Sequence, residues 1–536
     1  MTHKQLKMNK ENNEVPFEVS NTVEVIKPEI SSLDQKYIRK ICNNNTLRVE
    51  NKVGILTDTF NVELDVIKEW ITSLGIILSP SQFSAAKLHT LAKKKRYIIS
   101  SAQTASPVNI SFLNNIKAYA KFIDAEIGII ATRYRNPTSI WREEGDVWDE
   151  EVQEYLTANR QFLHNDLVVL ADLKVQATSP NPTSGVELFG GHASCIVGNP
   201  KIEMRPIAVL PGQKEKFLFS TGSVTMPSFT DTVAGGKAEE NHSYGFIVIE
   251  IESDEVVHVR NVTANEFGEF NDLIYRIQNE KVTKEAVDCL VWGDSHFAQK
   301  EQRVTDAFRK LCSDLKIKTS VLHDVWDSQA INVHNIKNPV VQHQLMREGK
   351  DDLQKELDQM NEELLWFETN MNKTLVIGSN HDDMLDRAMY QTKWQDNLKN
   401  ARLFIEMLAL TLSGDAKDGI IPYYINNSFS KIKALGVNDS YIHNGVELAL
   451  HGHKGPNGSK GNVKAFSALT SKTIIGHSHA PSIMGKCYQV GISCGKQHGY
   501  NSGLSGWAYN GVTLNKYGER QSITFNQFTM TYTTLY

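Results

Sequence analysis

Five short segments in the second half of the chain place metal-ligating residue types directly after predicted strands. In each, an apolar run with strand character is followed at once by Asp, Asn or His. Because residues i and i+2 at an extended strand end point the same way, Asp294 and His296 can reach one ion. The five segments are DCLVWGDSHF (288–297), SVLHDVWDS (320–328), NKTLVIGSNHDDM (372–384), GVELALHGHKGPNG (445–458) and KTIIGHSHAPS (472–482).

These residue types indicate a site for a transition metal. Mixed oxygen and nitrogen donors suit Mn, Fe, Zn or Co rather than Ca. Five strand ends aimed at one place predict an α/β active site at one edge of the sheets. Other chemistries lack a motif: no H-E-x-x-H or G-x-S-x-G stretch occurs, and GHKGPNGSKGN (452–462) does not match a phosphate-binding loop. The six scattered cysteines form no C-x-x-C pair, which predicts reduced thiols.

Composition is that of a soluble globular protein. The chain has 536 residues, of which 40% are hydrophobic and 22% charged, and its length predicts about two to four domains. A net charge of −5 argues against bulk polyelectrolyte binding of nucleic acid, but not against a local basic groove. No apolar run is long enough to span a bilayer, so no membrane partner is expected. No internal repeat is visible in the sequence.

The elements around the five segments divide the chain into four predicted parts. Residues 1–30 are polar and predict a flexible arm, and residues 31–79 predict a small helical module with helix-turn-helix-like spacing. The second helix of that module is acidic, which favours packing over DNA contact. Residues 80–278 predict an additional α/β domain of unknown role, and residues 279–536 hold the chemistry.

The order of the five segments resembles the calcineurin-like metallophosphoesterases. The family pattern runs Asp-x-His, Gly-Asp-x-x-Asp, Gly-Asn-His-Asp/Glu, a later His, and Gly-His-x-His. This chain departs from it twice: His323 replaces the glycine before Asp324, and Ser379 is inserted before Asn380. The resemblance implies a core of two packed mixed sheets flanked by helices.

The same resemblance implies a role for each residue. Asp324 bridges two divalent metal ions, with Mn as the first choice and Mg, Fe, Co or Zn as alternatives. His381 lies beside the scissile phosphate, oriented by Asp327, and a hydroxide between the metals attacks in line. His453 is the alternative to His451. One ion is held by Asp294, His296 and His479, and the other by Asn380, His451 and His477.

A wider resemblance covers most of the chain. Segments such as RYRNPTSIW (133–141), STGSVT (220–225) and GHSHAPSI (476–483) are similar to those of large phosphoesterases from tailed bacteriophages. The early host-DNA-degradation proteins of T-five-like phages, with a core like that of the Mre-eleven nucleases, are the most similar group. This implies a metal-dependent DNase acting in the host bacterial cytoplasm.

Two other functions are compatible with parts of the pattern. A phosphatase for a small phosphoester or a phosphoprotein would use the same metals. Phosphoprotein phosphatases carry an Arg soon after the second Asp, whereas Ser328 and Gln329 follow Asp327 here, and Asp382 stands where they have Glu. A non-catalytic scaffold that recruits host factors would be free to lose ligands, yet the ligand set is complete.

A nuclease on long DNA needs contacts beyond one phosphate, and two basic runs are candidates for them. Solvated strand flanks are the alternative interpretation of both runs. A homo-oligomer would multiply such patches along one duplex, and a host or phage protein is a further expected partner. The candidate DNA contacts are Lys93, Lys94, Lys95, Arg96, Arg133 and Arg135.

Overall fold

The structure is a computed structural model that describes residues 30–42, 49–74, 76, 83–134, 146–332, 338–391, 393–496, 498 and 503–536. The chain forms two compact units, divided near residue 79. Within the described ranges, no helix is long and apolar enough to cross a membrane. The described cysteines form no disulfide; all six are free and buried.

The first unit consists of three helices. The buried apolar side chains Ile38, Leu56, Ile67 and Ile71 form its core. The helices are α1 (Ser32–Cys42), α2 (Val49–Phe60) and α3 (Leu64–Ser73).

The second unit holds all 26 described strands, here given in chain order. The strands before residue 285 are β1 (Phe83–Ala85), β2 (Arg96–Gln103), β3 (Glu126–Thr132), β4 (Val147–Asp149), β5 (Leu156–Thr157), β6 (Arg160–His164), β7 (Leu167–Leu170), β8 (Ser194–Val197), β9 (Glu203–Ile207), β10 (Lys216–Ser220), β11 (Gly245–Ile251), β12 (Val257–Thr263), β13 (Phe270–Asp272), β14 (Tyr275–Gln278) and β15 (Lys281–Lys284). The later strands are β16 (Cys289–Val291), β17 (Thr319–His323), β18 (Lys373–Ile377), β19 (Ile432–Leu435), β20 (Ile442–His443), β21 (Val446–Glu447), β22 (Lys472–Ile475), β23 (Ser482–Met484), β24 (Cys487–Gln489), β25 (Asn510–Leu514) and β26 (Arg520–Thr524).

Nine α-helices accompany these strands in the described part of the unit. They are α4 (Ile110–Ile123), α5 (Val233–Glu240), α6 (Gln302–Asp314), α7 (Pro339–Glu348), α8 (Leu353–Asn370), α9 (Asn380–Gln391), α10 (Ala401–Ser413), α11 (Ile420–Ser428) and α12 (Val463–Ser467).

Three large sheets build two layers. A six-stranded sheet has the order β19-β18-β17-β16-β25-β26, and a five-stranded sheet has the order β12-β11-β2-β3-β5. Their edge strands β26 and β12 lie against each other. A ten-stranded sheet of order β20-β21-β22-β24-β23-β9-β10-β8-β7-β6 forms the other layer. The expected mixed α/β architecture of sheets flanked by helices is confirmed. The four-part division stays a prediction, although the ten-stranded sheet joins strands from both sides of residue 278.

Period-two alternation explains how the layers pack. Val291, Val321 and Leu375 on the central strands belong to the core shared with the ten-stranded sheet. Their neighbours Leu290, Leu322 and Val376 belong to the core formed with the helices. Both faces of these parallel strands are therefore buried, which is why their sequences are continuous apolar runs.

A buried charge network joins the five-stranded sheet to the end of the chain. Arg260 on β12 donates to Asp272 at 2.6 Å and to Glu250 on β11. The backbone N–H of Thr534 donates to Glu250 at 2.7 Å. Burial alone would raise the pKa of Glu250, but Arg260 and the Thr533 and Thr534 hydroxyls lower it to about 2.

We predict that Arg260→Met lowers the free energy of unfolding by about 3–5 kcal/mol, because two buried carboxylates lose their counter-charge. Urea denaturation measures this. The matched control is Arg402→Met, whose pair with Glu406 is exposed and should contribute at most about 1 kcal/mol. Because the pKa of Glu250 is depressed, its stabilisation should be present at neutral pH and lost as pH falls from about 4.5 towards about 2. Equal losses for both variants would contradict the assignment.

Candidate metal centre

Strand ends bring the predicted ligands together. Asp294 and His296 follow β16, and Asp324 follows β17. These strands are parallel to β18, whose end leads into α9 at Asn380. His451 follows β21, and His477 follows its parallel neighbour β22 in the other layer. The carboxyl ends of parallel strands share one edge of a sheet, so all these side chains meet at one place.

Four predicted ligands form the first group, and all four are buried. The group consists of Asp294, His296, Asp324 and His479, whose ligand atoms lie within 4.8 Å of one another. The Nε2 atoms of His296 and His479 are 3.0 Å apart. His479 Nε2 lies 3.1 Å from an oxygen of Asp294, and His296 Nε2 lies 3.5 Å from Oδ2 of Asp324.

The second group shares Asp324 with the first. Asn380 Oδ1 lies 3.0 Å from His451 Nε2 and 3.0 Å from His477 Nδ1. His451 Nε2 is also 3.3 Å from Oδ2 of Asp324. One carboxylate oxygen therefore faces donors from both groups, as a bridging ligand would.

The chemistry of this donor set fits divalent cations. Both oxygens of Asp294 and Oδ1 of Asp324 are buried and accept no hydrogen bond. Burial would raise the pKa of Asp324, but His451 and His381 hold it well below its usual range. Burial lowers the pKa of His477 to about 4, which keeps its imidazole neutral, the form that binds metals. Against the effect of burial, nearby carboxylates raise the pKa of His296 to about 9 and also raise that of His451, so these imidazoles supply part of the positive charge that the buried carboxylates need, and bound cations would supply the rest.

Backbone conformation aims several of these side chains. His296, Asp324, His477 and His479 have φ values of 35°, 46°, 76° and 63°, in the left-handed region that non-glycine residues rarely adopt. Such residues cluster at functional sites. Gly476 precedes two of them, and a Cβ there would lie 2.3 Å from Asp294 Oδ1, so only glycine fits.

His381 and Asp327 lie beside the first group and contact each other. His381 Nδ1 is 3.0 Å from the main-chain oxygen of Asp327. The Asp327 carboxylate instead contacts His296 Nδ1 at 2.7 Å. The carboxylate of Asp327 thus contacts His296 and its backbone carbonyl contacts His381, and the expected role of Asp327 in orienting His381 stays a prediction.

His453 lies beside a different carboxylate, that of Asp383. Its Nε2 lies 3.5 Å from Asp383, which also pairs with Lys454 at 2.8 Å. His451 makes the close approaches to Asn380 and Asp324 instead. Of the two alternatives, the geometry favours His451 as the ligand.

Sequence reasoning missed three residues at the site. His323 is fully buried, with Nδ1 3.4 Å from His451 Nδ1, and its place in the glycine position was the only signal. The His498 ring lies 4.8 Å from the His296 ring. The Trp507 ring lies 4.1 Å from the His479 ring. The last two lie on a loop without strand character, so no pattern pointed to them.

A charge signal was also missed. Residues 448–518, which contain three of the predicted ligands, include seven lysines and no Asp or Glu. Lys454 and Lys460 lie on the loop after His453, Lys464 lies at the start of α12, and all three are exposed. The metal centre is thus bordered by an acid-free, basic loop that suits an anionic substrate.

The predicted DNA contacts lie in other surroundings. Lys94 pairs with Asp124 at 3.2 Å, and Arg133 pairs with Asp146 at 2.7 Å. Arg96 donates to Thr534 and to the Ile123 carbonyl, so it has a structural role. Lys93 and Lys95 are exposed, and Arg135 lies outside the described residues.

Fold and site together define an α/β protein with a cluster of buried and half-buried Asp, Asn and His side chains that could bind metal ions. In sequence, the chain is similar to Protein A1 of Escherichia phage T5, with 28% identity over 464 residues that cover 80% of this chain and 82% of that protein. No family model matches the chain. No solved structure matches it either.

The geometry at His451 and His453 predicts different outcomes for two variants. His451→Ala should lower the metal content of Mn-loaded protein, because its Nε2 faces both Asn380 and Asp324. His453→Ala should leave the content unchanged and serves as the matched control. Metal analysis of the dialysed proteins measures both. The reverse ranking would show that His453 is the ligand.

Proposed function

We propose that this protein is a metal-dependent DNA phosphodiesterase that binds two divalent ions per chain. The observation that supports this most directly is the Asp324 carboxylate, whose Oδ2 faces both His296 and His451. Asp294, His296 and His479 would hold one ion, and Asn380, His451 and His477 the other. When bound, two such ions act as Lewis acids on the phosphate oxygens and make water a stronger nucleophile.

His381 is placed to act on the leaving group. Its Nδ1 faces the main-chain oxygen of Asp327 at 3.0 Å, so Nδ1 carries the proton and donates. Nε2 is then directed to the other side of the ring and can hydrogen-bond a phosphate oxygen or, when protonated, donate to the leaving oxygen. Asp327 contacts His296 through its carboxylate and His381 through its main-chain carbonyl. One residue therefore orients both imidazoles.

DNA is the proposed substrate for two reasons. Segments of the chain resemble phosphoesterases of tailed phages, and its sequence is similar to that of a phage protein. The exposed lysines of residues 454–464 border the metal centre and can contact phosphates on either side of the scissile bond. This proposal places the protein in the host bacterial cytoplasm, as a homo-oligomer on duplex DNA. Hydrolysis of a small phosphoester is the second candidate.

Plasmid degradation tests the proposal. Purified protein loaded with Mn should convert supercoiled plasmid to shorter products, and chelation should stop the reaction. Turnover of a small phosphomonoester without cleavage of plasmid would favour the phosphatase. Metal binding without hydrolysis of either substrate would favour a non-catalytic role.

We predict that His381→Asn keeps the metal content and lowers DNA turnover by about two to four decades, as for other acid–base groups. Metal analysis and initial rates measure the two effects separately. His343→Asn is the matched control, because this histidine lies on α7, which provides none of the predicted ligands. Loss of both ions in His381→Asn would mean that His381 is a ligand.

Neutralising the basic loop should affect DNA more than small substrates. Lys460→Gln with Lys464→Gln should weaken duplex binding and flatten the salt dependence of log Kd by about 2, since two fewer counterions are released. Turnover of bis(p-nitrophenyl) phosphate should stay near normal. Lys93→Gln with Lys95→Gln tests the other basic run. A larger loss of duplex binding in that variant would indicate that the DNA binds at that surface instead.

A further inference from the structure

Two stretches of the second unit repeat one strand topology. In the ten-stranded sheet, the spatial order β6-β7-β8-β10-β9 is matched by β20-β21-β22-β24-β23. The strands of the two sets follow each other in the same chain order. In each set the first two strands are antiparallel, the next two pairings are parallel, and the last pairing is antiparallel. The expectation that the chain has no internal repeat is therefore wrong at the level of the fold.

The other layer repeats as well. In the five-stranded sheet, β2, β3 and β5 are parallel, and β11 and β12 complete the sheet as antiparallel strands. In the six-stranded sheet, β16, β17 and β18 are parallel, and β25 and β26 complete it in the same way. Among the described strands of these two sheets, β19 alone lacks a counterpart. We call β2–β12 the first repeat and β16–β26 the second repeat.

Strand registers agree residue by residue. His164 pairs with Leu167 around an Asn-Asp turn, and His443 pairs with Val446 around an Asn-Gly turn. One strand further on, Leu167 stands opposite Ser194, and Val446 stands opposite Lys472. Counting along β8 and β22 from these pairs makes Gly198 equivalent to Gly476, and Asn199 equivalent to His477.

A two-fold relation connects the repeats. Registers with β10 and β24 make Met204 equivalent to Ile483, and these two residues stand opposite each other where β9 meets β23. Equivalent residues pair directly only where a two-fold axis passes. Because β9 and β23 are antiparallel, the carboxyl ends of the parallel strands lie at opposite edges in the two repeats.

The first repeat has lost the acidic ligands. Ser223 and Ile492 are equivalent by the registers above, and their bridges to Tyr244 and Tyr509 make Ile247 equivalent to Val512. Ile99 stands opposite Ile247, and Val291 stands opposite Val512. Counting from Ile99 and Val291 places Ala102 where the second repeat has Asp294. The pairing of β2 with β3 likewise places Ala131 at the position of Asp324. Both alanines are buried in the core with the helices. Without the shared carboxylate, the described residues of this edge cannot hold a pair of ions.

The first repeat nevertheless contributes to the metal centre of the second. The turn between β9 and β10 lies at the same edge as that centre. Val209 on this turn exchanges backbone hydrogen bonds of 2.9 and 3.0 Å with Ser505, and Glu215 pairs with Lys496. Close to these two contacts in the chain are His498 and Trp507, whose rings lie against His296 and His479.

We infer that the first repeat is a metal-free copy of the phosphoesterase half, fused in the place of a second subunit, and that its β9–β10 turn positions Lys496 and residues 503–507 against the metal centre. Glu215 is thus a positioning residue. The reciprocal contact exists at the opposite edge, where Gly485 on the β23–β24 turn lies beside Asn241 of the first repeat. The residues described at that edge include no metal-binding group, so changes there should not affect the chemistry.

Metal analysis of the full chain tests the first part of the inference. Wild-type protein loaded with Mn should hold about two ions per chain. Asp294→Asn combined with Asp324→Asn removes both carboxylates of the second repeat and should leave no ion tightly bound. Two ions retained by that variant would show that the first repeat binds metal and would overturn the inference. This outcome does not depend on whether the protein cleaves DNA.

Charge reversal tests the positioning role. Glu215→Lys places a second positive charge beside Lys496, which should displace the residues packed against the metal centre. We expect kcat for bis(p-nitrophenyl) phosphate to fall by about tenfold. KM, melting temperature and metal content should stay near normal, and Glu215→Lys with Lys496→Glu should recover most of the loss. Lys486→Glu, on the equivalent turn at the opposite edge, is the matched control.

Hydrogen exchange gives a readout that needs no activity. Glu215→Lys should speed amide exchange in residues 503–508, and Lys486→Glu should not. Equal exchange in wild type and Glu215→Lys would overturn the positioning role. The effect on kcat rests on the proposed function, whereas exchange and metal content do not. Absence of hydrolysis by wild type, with exchange changed as expected, would therefore refute the proposed function alone.

Discussion

The buried carboxylate of Asp324 constrains everything around it. It is almost fully excluded from water, and its Oδ1 accepts no hydrogen bond. An ionised carboxylate in such a place needs positive charge close by. The surrounding imidazoles supply it in part, and divalent cations would supply the rest. This explains why the ligands come from both layers: no single strand end carries enough donors to surround one buried oxygen.

Delivering these donors imposes a conformational cost on the turns. Four of the predicted ligands adopt positive φ, a conformation that costs roughly 1–2 kcal/mol for a residue with a Cβ. The flanking strands are buried on both faces, and this packing holds the turns in place. The rigid layers therefore offset the strain, and the sharp turn after each strand directs the next side chain at the common point rather than along the strand.

The sequence predicted the parts of the site that follow strand ends. Asp294 and Asp324 were visible because an apolar run precedes each of them, and the mixed α/β fold followed from the same runs. His498 and Trp507 were not, because they lie on a loop whose position depends on Val209 and Glu215, far away in the chain. The contacts of Asp327 could not be predicted either. Residue spacing does not tell whether the carboxylate of Asp327 or its main-chain carbonyl faces a given histidine.

The repeat was hidden for a related reason. A fold is specified by the alternation of buried residues, and Leu, Val and Ile can replace one another at those positions without leaving a repeat in the sequence. The ligands would have revealed it, but Ala102 and Ala131 replace the two aspartates in the first repeat. What the two repeats still have in common is the Asn turn that follows both His164 and His443. The β9–β10 turn of the first repeat is retained as a contact of the second, through Val209 and Glu215.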